Sequence, residues 1–140
     1  MKIMSADLGK ARTGVAISDE NESFAFPNCV ITEYNEEKLV LRLADKAKEL
    51  GAGLIVVGHP KNMDGSLGER AQECEILAEK IKQASGIDTL LWDERCTTVS
   101  AHTVLSINNT YGKKRKQTVD AVAAVMILED YLAFRKNTKK

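Results

Sequence analysis

Lys2-Ile3-Met4-Ser5-Ala6-Asp7-Leu8 leads into Gly9-Lys10-Ala11-Arg12-Thr13 and then Gly14-Val15-Ala16-Ile17-Ser18-Asp19. The first run is apolar and ends on a carboxylate. The middle five residues read as a turn. The last six read as a second strand, so the whole predicts a β-hairpin. Asp7 is the unusual residue. An acid closing a strand that is otherwise core loses hydration, which is costly unless something positive binds it. A salt bridge to Lys10 or Arg12, or a turn cap, would be one answer. A bound cation would be another.

Outward from the hairpin, Phe24–Thr32 (FAFPNCVIT) predicts a third strand, and Pro27 confines it to an edge or a bulge. Asn35–Leu50 predicts a helix, with Leu39, Leu43, Ala47 and Leu50 at helical spacing and Gly51 as its stop. Gly53–Gly58 (GLIVVG) has the continuous apolar character of a parallel strand buried on both faces. A polar loop, His59–Gly65, follows. Ser66 and Glu69 have the spacing of a capping box for a helix running to about Ser85. Thr89–Trp92 predicts a short strand running into Asp93-Glu94-Arg95. Thr97 or Thr98 caps a helix through about Ile107. Asn108–Lys116 (NNTYGKKRK) reads as a mobile basic loop, and Gln117–Arg135 as the last helix.

The order β-β-β-α-β-α-β-α-α dictates a topology. Three strands without intervening helices form an antiparallel meander. The β-α-β-α-β remainder demands right-handed crossovers and parallel pairing. The expected fold is α/β: a mixed five-stranded sheet with helices on both faces, in one domain over residues 1–140.

Val119–Leu128 (VDAVAAVMIL) repeats the anomaly of the first strand. A helix apolar all round is buried, yet Asp120 stands in its first turn. The helix dipole favours an anion there, so capping is one reading. Convergence of Asp120 and Asp7 on a shared cation is the other. Asp93-Glu94 forms a third acidic spot, and ligands of open α/β sheets bind beyond the carboxyl ends of the strands.

Composition narrows the classes. The chain is 44% hydrophobic and 29% charged, as in water-soluble globular domains. No apolar run of about 18 residues spans a membrane, and no secretory leader pattern opens the chain. Cys29, Cys74 and Cys96 are widely spaced without a metal pattern, as expected of reduced thiols in a cytosolic protein. The net charge is zero, which speaks against a generally basic surface. Two local basic patches exist, Lys113-Lys114-Arg115-Lys116 and Arg135, Lys136, Lys139, Lys140.

Four stretches together resemble one family. They are D-x-G-x-x-R-x-G-V-A-x-S-D at Asp7–Asp19, G-x-P-x-N-M-D-G at Gly58–Gly65, D-E-R-x-T-T at Asp93–Thr98 and K-R-K-x-x-V-D-x-x-A-A at Lys114–Ala124. In this order they look like the YqgF family, also called RuvX-like, whose fold is RNase H-like. His59 and Cys96 stand where that family often has apolar residues. The resemblance implies a bacterial cytoplasmic nuclease acting in 5′-end maturation of pre-16S rRNA in ribosome biogenesis. The family's older description implies a Holliday junction resolvase acting on branched DNA.

Residue by residue, the resemblance offers Asp7, Glu94 and Asp120 as catalytic carboxylates. Arg12 and Arg95 become phosphate or structural contacts. Phosphodiester hydrolysis with two Mg²⁺ (or Mn²⁺) ions needs hard oxygen ligands, which these acids supply. RNase H-like nucleases usually present four acids, so Asp93 or Asp64 is a further candidate ligand. Lys113, Lys114, Arg115 and Lys116 would track a phosphate backbone without reading its sequence. A resolvase would require a homodimer, whereas an RNA-trimming enzyme can act as a monomer. Two other readings compete. One is the phosphate loop of actin-like ATPases, which need a second lobe. The other is a non-catalytic module that binds structured RNA.

Overall fold

The computed structural model describes residues 1–9, 12–59, 68–93 and 115–138, with backbone alone for 115–120, 137 and 138. Five strands form one sheet in the order β3-β2-β1-β4-β5. β1 (Lys2–Leu8), β2 (Arg12–Ser18) and β3 (Ala25–Thr32) make the antiparallel meander. β4 (Ala52–His59) and β5 (Thr89–Asp93) add in parallel beyond β1. Helices α1 (Glu36–Leu50) and α2 (Glu69–Ser85) cover one face, and α3 (Arg115–Thr138) covers the other. This is the expected mixed sheet.

Strand alternation sorts the core into two halves. Met4, Ala6, Leu8, Val15, Ile55 and Val57 pack toward α1 and α2. Ile3, Ala16 and Val56 pack toward α3. β3 is an edge strand, and it also carries a bulge. Val15 pairs with Cys29 but Ala16 pairs with Pro27, which leaves Asn28 extra. Pro27 thus satisfies both constraints expected of it.

α1 follows its sequence signals closely. Asn35 caps it, its side-chain oxygen accepting from Lys38 N at 3.0 Å. Gly51 ends it in the left-handed region at φ 72°. Three elements start two residues away from expectation. β2 begins at Arg12 rather than Gly14, because Gly9 N–H donates to Arg12 O at 3.0 Å and closes the hairpin earlier. α2 is capped by Gly68 without a side-chain bond, not by a Ser66 box, and its ladder starts with Gln72 N–H donating to Gly68 O. α3 begins at Arg115, so Arg115 and Lys116 are helical and not part of a loop. The expected helix from Thr97 or Thr98 lies outside the described residues.

Candidate active site

Asp7 is the penultimate residue of β1 and half-buried. Alternation from Ile3 through Ser5 puts it on the α3 face. Its flanks on that face lack side chains. It pairs with Gly14 of β2. On the other side, one step beyond the Ala6–Val57 pair, stands Gly58 of β4. Both glycines are buried. Asp7 is thus a central carboxylate whose lateral neighbours on the sheet are glycines. Arg12 is exposed, on the same face as Gly14 and Ala16. It is therefore the diagonal neighbour of Asp7, at about 7–8 Å by sheet geometry.

α3 runs antiparallel to β1. Near its C-terminal end, Arg135 pairs with Glu22, whose other carboxylate oxygen lies 3.5 Å from the Met1 amine. Further back, Ser5 Oγ donates to Ala124 O at 2.7 Å, a buried bond. The next steps match. One turn from Ala124 to position 120 rises about 6 Å, and the strand from Ser5 to Asp7 advances about 6.7 Å. Ala124, Ile127 and Tyr131 form a buried stripe against the sheet.

At β5, Leu90 and Trp92 belong to the α3 side while Leu91 belongs to the α2 side. Thr89 Oγ1 donates to Ala78 O of α2 at 3.1 Å. Asp93 therefore falls on the α2 face, opposite Asp7. There it is paired in register with His59, which is buried with its Nε2 3.3 Å from Glu75 Oε1. Trp92 packs against Tyr131 and Phe134 of α3, with ring centroids 5.6 and 5.2 Å away.

Glu94, Arg95, Asp64, Lys113 and Lys114 lie outside the described residues, as do the side chains of Arg115, Lys116 and Asp120. Among the described residues no group of three His, Cys, Asp or Glu side chains is gathered for a metal ion. No described helix is long and apolar enough to cross a membrane.

Sequence reasoning passed over Arg70. It stands in the first turn of α2, where the helix dipole disfavours a cation. Its Nη2 donates to Leu8 O at the end of β1, and its Nη1 donates to Glu73 Oε2 at 2.8 Å. The misplaced charge was the signal available beforehand.

Comparison with known proteins agrees with this arrangement. A "Putative pre-16S rRNA nuclease" of Thermoanaerobacter pseudethanolicus is 41% identical over 138 residues, 98% of this chain and 99% of the relative. One of the same name from Bacillus cytotoxicus is 38% identical over 135 residues, 94% of this chain and 98% of the relative. Among solved structures, Thermus thermophilus RuvC in complex with Holliday junction substrate superposes with a TM-score of 0.64 at 10% identity, over 96% of each chain. The shared fold is therefore the RNase H-like fold of RuvC. A sequence model of the RuvX family, described as Holliday junction resolvase, matches residues 1–134, and the chain belongs to that family.

Proposed function

We propose that this chain is a nuclease that hydrolyses phosphodiester bonds at the 5′ end of pre-16S rRNA. The observation that carries the reading is the antiparallel run of α3 along β1. With Ser5 bonded to Ala124, it supports a shared site for Asp7 and Asp120 at the end of β1, where Gly14 and Gly58 are the lateral neighbours of Asp7. The named relatives supply the substrate. In bacteria that RNA places the work in the cytoplasm.

Asp7, Glu94 and Asp120 would hold the divalent ions, Mg²⁺ or Mn²⁺. Their carboxylates suit hard cations, and the lateral neighbours of Asp7 carry no side chains. Held there, a pair of ions supplies an activated water and neutralises charge on the leaving oxygen. The alternation of β5 favours Glu94 over Asp93, because Asp93 shares the far face with His59. Arg12, diagonal to Asp7, and Arg95 are suited to a forked grip on a non-bridging phosphate oxygen. Lys113, Lys114, Arg115 and Lys116 would track the substrate backbone without reading its sequence.

Branched DNA is the second reading, favoured by the description that the family carries. It requires a two-fold dimer to cut two strands symmetrically. The RNA reading works with a monomer.

One experiment separates these. The purified chain is incubated with Mg²⁺ or Mn²⁺ and a pre-16S leader RNA, a four-way DNA junction or duplex DNA, with its mass measured in parallel. Cleavage of the leader RNA is expected, lost in Asp7→Asn while binding is retained. Junction cleavage by a dimer would replace the RNA reading. No cleavage of any substrate would overturn the nuclease reading.

A further inference from the structure

Leu8 and Gly9 share a peptide whose two polar atoms are held by different parts of the molecule. The Gly9 N–H points toward β2 and donates to Arg12 O at 3.0 Å. The Leu8 carbonyl points the opposite way, toward β4. In a parallel ladder such a carbonyl accepts from the residue one beyond its register partner on the next strand. Continued past Ala6–Val57, this register would set Leu8 against His59, and the donor due to Leu8 would be the amide at position 60. Residue 60 is proline, which has no N–H. A ladder continued in this register would lack a donor for the residue after Asp7.

Arg70 supplies the missing one. Its Nη2 donates to Leu8 O across sixty-two positions of sequence, and Glu73 fixes the other arm of the guanidinium at 2.8 Å. The side chain is 30% exposed, so the bond is largely sheltered from water. An ionised donor makes it stronger than the backbone bond it replaces. Its location against the helix dipole costs something, and the carbonyl and Glu73 offset that cost.

We infer that Arg70 is a positioning residue for Asp7. It stands in for the amide that Pro60 cannot provide, and so fixes the strand end from which the Asp7 carboxylate projects. The inference rests on Asp7 being the metal-holding acid proposed above. It assigns a physical reason to two residues at once, the proline of the G-x-P motif and an arginine ten positions later. It also ties the start of α2 to the strand end.

The test compares the parent with Arg70→Ala, Arg70→Lys, Pro60→Ala and the Pro60→Ala/Arg70→Ala double variant, all without nucleic acid. Two quantities are read by NMR. One is the hydrogen-exchange rate of the Gly9 amide in the metal-free protein. The other is the affinity for Mn²⁺ alone, followed by broadening of the Ala6–Gly9 resonances. Arg70→Ala is expected to speed Gly9 exchange and to weaken Mn²⁺ binding by about tenfold, the usual effect of removing a group that orients a metal ligand. Arg70→Lys should recover part of both. The double variant should also recover part, because alanine at position 60 restores a backbone donor.

Unchanged exchange and Mn²⁺ affinity in Arg70→Ala would overturn the inference. So would a double variant no better than Arg70→Ala. A parent that binds no Mn²⁺ would sink the nuclease reading and the metal role of Asp7, while the exchange rates would still report on the Arg70–Leu8 link. Retained Mn²⁺ binding with no cleavage would fault the substrate assignment alone.

Discussion

Gly9 has no side chain because none fits. A Cβ built there would collide with the carbonyl oxygen of Arg12, the atom that Gly9 N–H itself bonds. Gly9→Ala must therefore open the hairpin beside Asp7. The expected loss is about 1–3 kcal/mol, the range of strain at a tight functional turn. Denaturant unfolding measures it, and a shift below about 0.5 kcal/mol would mean that the turn yields freely. Two acids titrate in opposite senses. Asp19 Oδ1 accepts from Ser23 N at 2.8 Å and Phe24 N at 2.9 Å. The Phe24 bond is the main reason its carboxyl lies below the ordinary value, with burial opposing. Its folded value is depressed, so this stabilisation is complete above about pH 4, the unfolded value. It fades as pH falls through the folded value. Asp19→Asn should flatten the acid limb of stability against pH. Asp130 behaves inversely. Burial raises its carboxyl above the ordinary value, and Oδ2 is buried without a hydrogen-bond partner among the described residues. Stability is fullest while Asp130 is protonated and declines as pH rises from about 4 through the raised value. Asp130→Asn should thus stabilise the chain at pH 7 by a fraction of a kcal/mol, solvent keeping the effect small. A gain that persists unchanged at pH 3 would show that charge is not its cause.

At the scale of elements, α1 was legible in full because its signals are local: Asn35, the leucine spacing and Gly51 each act within one turn. Asn35→Ala should cost about 1 kcal/mol in thermal unfolding, the worth of an N-cap, and leave cleavage untouched. β3 was legible for a similar reason, since a proline limits strand pairing wherever it sits. The start of α2 was misread because a capping box is a pattern of residue types, and Ser66 to Glu69 has the types. The backbone chose Gly68 instead, with Arg70 reaching away to β1. That choice answers an unpaired carbonyl sixty-two residues earlier, which no local pattern records. Val119–Leu128 was read as buried all round. Ala121, Ala124, Val125, Ile127 and Leu128 are buried, while Val122, Ala123 and Met126 are half-buried. Asp7 and Asp120 were legible as two misplaced acids. That β1 and α3 run past one another needed the Ser5–Ala124 bond to be seen.

At the scale of the whole molecule, a neutral chain that binds nucleic acid must concentrate its cations. The C-terminal patch is already spent in part. Arg135 pairs with Glu22 and lies 3.5 Å from the Tyr131 hydroxyl, and Glu22 also meets the Met1 amine. Glu22 adopts φ 59° to reach them, a conformation that side chains other than glycine rarely take. That network pins the end of the sheet remote from Asp7, so Arg135 is structural. The run Lys113–Lys116 precedes Asp120 in the sequence and is the substrate-holding charge proposed above. Replacing Lys113, Lys114, Arg115 and Lys116 with Gln should weaken binding similarly for all sequences. The slope of log K against log salt should flatten by roughly 3 on duplex for three or four lost phosphate contacts, at about 0.9 per contact, and by less on single strands. Thermal stability should hardly move, because exposed charges contribute little. Arg135→Gln should do the reverse, lowering stability by about 1 kcal/mol or more as a partly buried pair is broken and leaving the salt slope as it was. If the slopes respond the other way round, the nucleic acid lies along the Glu22 end of the sheet, and the approach to Asp7 is not from the start of α3.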